Sequence, residues 1–197
     1  MKFTNILVAF VAALSLFLSA CDFDGGVEQG RCVAFNPETK QLTMVEDTSL
    51  DQHNPHYSGK VFTFTLPPEE RDMGPAPETG DLLQLDPDKG KLLWYDPSTG
   101  SVQEMTVNYT AVEKNVGPKS DKLKGKKFPI IDKDNRTITV YSPRLEELVT
   151  FQVGEDAINL PENTWKAGDE VRIAYRKENK GQAIRIMNVS KTNIFTR

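Results

Sequence analysis

The two histidines of the chain lie close together, in a segment with the ligand types of a transition-metal site. His53 and His56 are three residues apart, and Asp51 precedes them. Imidazole nitrogens and carboxylate oxygens are ligands that zinc and copper take in proteins. Pro55 excludes a regular helix, so the spacing does not by itself place both rings on one face. Asp51, His53 and His56 are candidate metal ligands, and the alternative is an exposed loop between two strands.

Other patterns that carry chemistry are incomplete or missing. Asp86, Asp88 and Gly90 resemble the start of a calcium-binding loop, but the third ligand and the distal glutamate are lacking, which favours a hairpin turn. The sequence contains no nucleophile elbow, phosphate loop, dinucleotide fingerprint or haem attachment motif. Histidine, the usual general base near neutral pH, is scarce. We therefore predict that the protein is not an enzyme and takes no cofactor.

The first 20 residues have the composition of a secretory leader. Lys2 is the only charge before an apolar run at residues 6–18, which is shorter than the roughly 20 residues needed to span a bilayer. The run leads into Leu18-Ser19-Ala20-Cys21, a sequence that resembles the lipobox of bacterial lipoproteins. The resemblance implies cleavage before Cys21, a diacylglyceryl thioether on its sulfur and acylation of the new amino group.

A lipid on Cys21 would tether the folded body to a membrane, because more than one acyl chain makes anchoring stable. We expect a location in the cell envelope, facing the periplasm or the exterior, with residues 21–29 as a flexible tether. Cys32 is then the one remaining thiol, so the mature protein has no intramolecular disulfide. Its position beside Ala34 on one face of a predicted strand favours a small buried residue, and a reactive thiol is the alternative.

The rest of the chain has the pattern of strands separated by turns. Pro, Asp, Asn and Gly interrupt runs of β-branched and aromatic residues, and several runs alternate with period two. No long helical periodicity occurs, so the predicted fold class is all-β. The predicted hairpins join residues 33–35 to 41–45, 81–85 to 91–95, 91–95 to 102–107, 128–131 to 137–141, and 171–175 to 183–189.

Two parts of the chain echo each other. Gly80-Asp81 opens one predicted hairpin, Gly168-Asp169 opens another, and similar strands precede each. We predict two related five-stranded units in tandem, at residues 30–113 and 128–197. Their strand count, and a connector between strands three and four, resemble the OB-fold, a small partly open Greek-key barrel. The alternative is that hairpins simply look alike.

Charge is distributed unevenly along the chain. Residues 21–113 hold 6 Lys and Arg against 17 Asp and Glu, whereas residues 114–197 hold 17 against 11. Six lysines crowd residues 114–127, which we predict to be a linker between the units. Opposite charges of this kind would dock the halves on each other or steer a charged protein partner. Nucleic acid is a poor partner, because the first unit is acidic and the lysines lack interleaved aromatics.

These observations predict a class of protein rather than a reaction. The whole chain resembles small envelope lipoproteins, a resemblance that implies the lipobox and a β-rich body but no functional residue. The predicted function is a non-catalytic, membrane-anchored envelope lipoprotein that binds another envelope protein. The alternative is a ligand- or metal-binding module that uses the loop of His53 and His56.

Overall fold

Short strands joined by tight turns account for nearly all of the regular structure, as the alternation predicts. The structure is a computed structural model that describes residues 24–49, 51, 54–68 and 74–192. Two short 3-10 helices, Ala157–Asn159 and Glu162–Trp165, lie in the connector before the last hairpin. The strands are β1 (Gly25–Asn36), β2 (Gln41–Asp47), β3 (Tyr57–Thr65), β4 (Leu82–Asp86), β5 (Lys91–Asp96), β6 (Ser101–Thr106), β7 (Asn108–Glu113), β8 (Ile130–Asp132), β9 (Thr137–Ser142), β10 (Glu147–Gln152), β11 (Glu170–Arg176) and β12 (Asn179–Asn188).

Five strands close into a ring that combines the two ends of the described chain. Their order is β1, β11, β12, β3 and β2, with β2 returning to β1. All neighbours are antiparallel except β12 and β3, which meet in parallel at Gln182 and Thr65. β1 uses both of its edges, pairing with β2 on one side and with β11 on the other. The ring interior is apolar, and its most buried side chains include Cys32, Leu42 and Ile173.

This pairing does not match the predicted tandem arrangement of units at residues 30–113 and 128–197. Three strands of the ring come from the first of those ranges and two from the second. Hairpins are local, but the free edge of a strand pairs with whichever hairpin reaches it, here one more than 100 residues later. The tether predicted at residues 21–29 is also wrong in its second half. β1 already begins at Gly25 and pairs there with Arg176.

Residues between β3 and β11 form two further sheets. One is three-stranded, in the order β4, β5, β6, and the other is four-stranded, in the order β7, β10, β9, β8. The lysine-rich residues 114–127 join β7 to β8 and thus form a loop within one sheet, not the predicted linker between units. Val116 is buried there, and its N–H donates to the carbonyl oxygen of Glu146 at 2.7 Å. This apolar anchor fixes the loop against the β9–β10 turn.

Apolar clusters fill the spaces between the ring and the two sheets. On β5, Leu93 and Tyr95 pack toward the ring, against Val45 and its neighbours on the outer face of β1–β3. Leu92 and Trp94 project from the opposite face of β5 and pack toward the four-stranded sheet. The three-stranded sheet is therefore covered on both faces, and the protein is layered.

The two Gly-Asp pairs of the sequence meet where the chain leaves and re-enters the ring. The N–H of Gly80 donates to the Cys32 carbonyl oxygen at 3.3 Å, and the N–H of Cys32 donates to the Asp169 carbonyl oxygen at 2.8 Å. A Cβ atom on Gly168 would lie 1.9 Å from that same Cys32 oxygen. The echo therefore marks a single junction at which backbones pass too closely for side chains.

Candidate functional site

Two of the predicted site residues, Cys21 and His53, lie outside the described residues. The predicted lipid attachment at Cys21 therefore stays a prediction. In the part of the chain that the structure describes, no helix is long and apolar enough to cross a membrane.

Asp51 and His56 lie in the loop between β2 and β3, where both have structural contacts. The Asn54 side-chain amide donates to Asp51 Oδ2 at 2.6 Å. His56 Nδ1 lies 2.8 Å from the Thr48 hydroxyl, and the backbone N–H of His56 donates to Asp47 Oδ1 at 2.7 Å. Among the described residues, no group of three His, Cys, Asp or Glu side chains is placed to hold a metal ion. Since His53 lies outside the described residues, the metal site stays a prediction.

Cys32 is a buried core residue, as its place in the alternation predicts. Its side chain is fully buried in the ring, with Sγ 3.6 Å from the carbonyl oxygen of Ala34. Burial, together with the negative charge of Asp169, raises the pKa of the Cys32 thiol to about 12. Since the thiolate is the reactive form, this environment makes Cys32 inert.

We expect Cys32 to resist thiol reagents for as long as the protein is folded. In a Cys21→Ser chain, where Cys32 is the only thiol, Ellman's reagent at pH 8 should label the native protein at least about 100-fold more slowly than the urea-unfolded protein, because the thiolate fraction falls tenfold for each pKa unit. Stopped-flow absorbance measures both rates. Similar rates in the two states would show that Cys32 is accessible and reactive.

Charged side chains occupy inward positions at one end of the ring. Because strand residues alternate between two faces, the inward lines of the core continue along β1, β2, β3 and β11 to the end of the ring, whereas the pairing of β11 with β12 shifts register there. On β3, for example, the line runs from Phe64 through Phe62 to Lys60. Each strand contributes one polar side chain to this end, which we call the mouth of the ring: Glu28 from β1, Glu46 from β2, Lys60 from β3, Tyr175 from β11 and Lys180 from β12.

The mouth opens onto a cavity with an aromatic floor. Phe62, Phe64 and Tyr175 form a row, with ring centroids 6.1 Å apart in the first pair and 5.8 Å in the second. Phe64 and Tyr175 belong to the buried core, whereas Phe62 is only partly buried. The cavity measures about 310 Å³. That volume is at the lower end of the range for small-molecule sites, which often occupy the mouths of barrels.

The charges of the mouth are separated by sign. Glu28 and Glu46 lie on the neighbouring strands β1 and β2, and Lys60 and Lys180 lie on the neighbouring strands β3 and β12. The Tyr175 hydroxyl donates to Glu28 Oε1 at 2.8 Å, and this hydrogen bond raises the pKa of Tyr175. The mouth therefore has an acidic side and a basic side, which meet where β2 lies next to β3.

The contacts within the mouth leave part of its charge unmatched. Glu46 Oε2 accepts a hydrogen bond from the Ser58 hydroxyl at 2.5 Å and lies 3.5 Å from Lys60 Nζ. Lys180 is exposed and has no hydrogen bond or ion pair within the described ranges. Glu28 likewise has no cationic partner there. A ligand is therefore free to pair with Glu28 and Lys180.

A buried ion cluster lies on the outer face of the ring, the face that the inserted sheets cover. Arg31 on β1 lies across from Glu170 at the start of β11, with Arg31 Nε 3.7 Å from Glu170 Oε2. Arg144, from the β9–β10 turn, approaches the same oxygen to 3.6 Å. Arg31 Nε also donates to the Tyr57 hydroxyl at 2.8 Å. Burial raises the pKa of both Glu170 and Tyr57. Two guanidinium groups thus lie against the Glu170 carboxylate, with Asp47 as a second acid nearby, and the cluster links the four-stranded sheet to the ring.

Sequence reasoning found neither the mouth nor the buried ion cluster. The mouth had a usable signal, since the inward line of β3 ends in Lys60 after two aromatics. The buried cluster had none, because Arg31, Arg144 and Glu170 come from distant parts of the chain and each is an ordinary charged residue in its local context.

Comparison with known proteins identifies a family. No curated protein matches the chain, and no solved structure matches it. A family model described as a domain of unknown function, DUF4881, matches residues 23–197. The match includes all twelve strands of the described chain. The chain therefore belongs to the DUF4881 family.

Proposed function

We propose that the protein is a non-catalytic binding module of the cell envelope, held at a membrane by lipid on Cys21. The lipobox supports the anchor, and the start of β1 at Gly25 supports close attachment. Four residues span at most about 14 Å, so the ring would stay next to the lipid. The observation that carries the binding role is the mouth, a cavity with an aromatic floor and charges of both signs.

We further propose that the ring is a single OB-like barrel with a large insertion. Within the ring, the first four strands in chain order are β1, β2, β3 and β11. They lie in the spatial order β11, β1, β2, β3, which is that of a Greek key. A five-stranded Greek-key barrel is the architecture of the OB-fold, whose ligands commonly bind on the face of strands two and three. Here Val45 and Tyr57 on that face are covered by Leu83 and Tyr95 of the inserted sheet. This cover favours the mouth as the binding surface.

Replacing Cys21 by serine is expected to release the protein from membranes without unfolding it. Serine has no sulfur on which the diacylglyceryl thioether could form, so the variant would carry no lipid. The loss of the acyl chains removes about 0.8 kcal/mol of membrane affinity per buried methylene. Membrane fractionation with a high-salt wash measures the effect, and circular dichroism reports the fold. Cys32→Ala is the matched control and should stay in the membrane fraction. A Cys21→Ser protein that survives the salt wash in the membrane would contradict the anchor.

A second candidate function, a scaffold for another envelope protein, is favoured by the edge strand β7. Among the described strands β7 pairs only with β10, and Thr110, Ala111 and Val112 on it are exposed. Glu113 is the only charged residue of β7 and is paired with Lys122, so residues 108–112 of the strand itself carry none of the lysines and prolines that usually block strand addition. An extended segment of a partner would pair there through its backbone.

A further inference from the structure

We infer that the mouth of the ring binds a small zwitterion, in which an ammonium group and an anionic group lie a few ångströms apart. The inference rests on the proposed function, since it assigns a ligand class to the proposed binding surface. The separation of charge between Glu28 and Glu46 on one side and Lys60 and Lys180 on the other carries it.

The acidic side suits an ammonium group. The Tyr175 hydroxyl occupies Oε1 of Glu28, and a carboxylate has room for further donors on its second oxygen. Phe62 is the partly buried ring of the aromatic row, so its exposed part faces the cavity that Glu28 also lines. An ammonium group there would pair with the carboxylate and lie over an aromatic face, two interactions that reinforce each other.

The basic side suits an anionic group. Lys180 has no partner within the described residues, and Lys60, with 69% of its side chain exposed, is paired only with Glu46. Phosphate and carboxylate oxygens accept hydrogen bonds from ammonium groups of this kind. An anion beside Lys180 would therefore be paired without breaking a contact that the protein already has.

The charges of the mouth favour a ligand of both signs over simpler ligands, because Glu28 and Lys180 both lack an ion-pair partner within the described residues. A cation alone would be repelled by Lys60 and Lys180, and an anion alone by Glu28 and Glu46. A neutral apolar molecule would remove water from Glu28 and Lys180 and supply no charged partner in return, which is costly. Only a molecule with both signs satisfies both sides of the mouth.

Two sources supply this chemistry at a membrane-tethered protein. One is a lipid headgroup of the phosphoethanolamine type, which is within reach because Glu28 lies seven residues after Cys21. The other is a free amino acid or the end of a peptide. Both present an ammonium group next to an anion, and they differ in whether that anion is a phosphodiester or a carboxylate.

The test is calorimetric titration of the full chain in non-ionic detergent. The probes are glycerophosphoethanolamine and alanine as zwitterions, with ethanolamine and glycerol phosphate as molecules of one charge. We expect one zwitterion to bind saturably and at least tenfold more tightly than either singly charged probe. Whichever zwitterion binds identifies the source, headgroup or amino acid.

Variants then locate the binding. Lys180→Gln and Glu28→Gln should each weaken zwitterion binding at least tenfold. Lys177→Gln is the matched control, because Lys177 lies in the adjacent β11–β12 turn but pairs with Asp24 at 2.6 Å outside the mouth. Absence of saturable zwitterion binding, or equal binding by wild type and Lys180→Gln, would overturn the inference. Tighter binding of a singly charged probe that is lost in Lys180→Gln would overturn the ligand class while keeping the mouth as a binding site.

Discussion

Replacing Gly168 by alanine is expected to lower the free energy of unfolding by about 3 kcal/mol or more. An added Cβ would lie 1.9 Å from the Cys32 carbonyl oxygen and 2.9 Å from the Gly80 nitrogen. Both are backbone atoms within a hydrogen-bonded crossing, so neither can move aside without breaking the contact between the ring and its insertion. Urea denaturation followed by circular dichroism measures the change.

Gly154 provides the matched control for this prediction. A Cβ there would have no neighbour within 4 Å, and the backbone is not in the left-handed region. Gly154→Ala should therefore leave the stability unchanged or raise it by up to about 1 kcal/mol, because alanine restricts the unfolded chain. If the two alanine variants unfold at the same urea concentration, the close crossing at Gly168 is wrong.

The local elements of this fold were predictable from the sequence because each hairpin depends on its own turn. Asn36, for example, accepts hydrogen bonds from the backbone N–H groups of Glu38 and Thr39 through Oδ1, which closes the β1–β2 turn without help from the rest of the chain. The same holds for Asp132, whose Oδ1 accepts from Asn135 in the β8–β9 turn. Residue types are enough to predict such contacts.

The pairing of distant strands was not predictable in the same way. The free edge of β1 offers backbone groups that any strand can satisfy, and nothing in the sequence near Gly25 selects the strand that ends at Arg176. The Gly-Asp echo was misleading for a related reason. Gly80 and Gly168 resemble each other because both lie at one crowded crossing, and that requirement produces the same short motif as a duplicated domain would.

The residues of the candidate site also differ in whether local sequence or distant strand pairing determines their position. Cys32 was predictable as a core residue because alternation places it beside Ala34 on a strand. The mouth depends on five strands from both ends of the chain, so its charges could be recognised in the sequence only after the ring was known. The loop of Asp51 and His56 attracted attention because histidine is rare, yet its described contacts serve the loop itself.

Replacing Trp165 by alanine is expected to cost about 4 kcal/mol, since it removes the largest fully buried side chain among the described residues. Trp165 lies in the second 3-10 helix, and its ring centroid is 5.9 Å from that of Phe151 in the four-stranded sheet. Trp165→Phe should cost much less, about 1–2 kcal/mol, because the indole Nε1 has no hydrogen-bond partner in the described structure and none is lost. Trp94→Ala, at a partly buried position in the same apolar cluster, provides the comparison.

Denaturation followed by far-ultraviolet circular dichroism ranks these variants without relying on tryptophan fluorescence. A cost for Trp165→Ala no greater than that for Trp94→Ala would place the main core elsewhere.

The thiol of Cys32 adds a test of cooperativity, because it lies in the ring while Trp165 lies in the neighbouring cluster. The connector that carries Trp165 runs directly into the close crossing at Gly168. If the ring and the insertion unfold as one unit, the labelling rate of Cys32 in Trp165→Ala should rise by the same factor as the unfolded fraction of the protein. If they unfold separately, the labelling rate should not change.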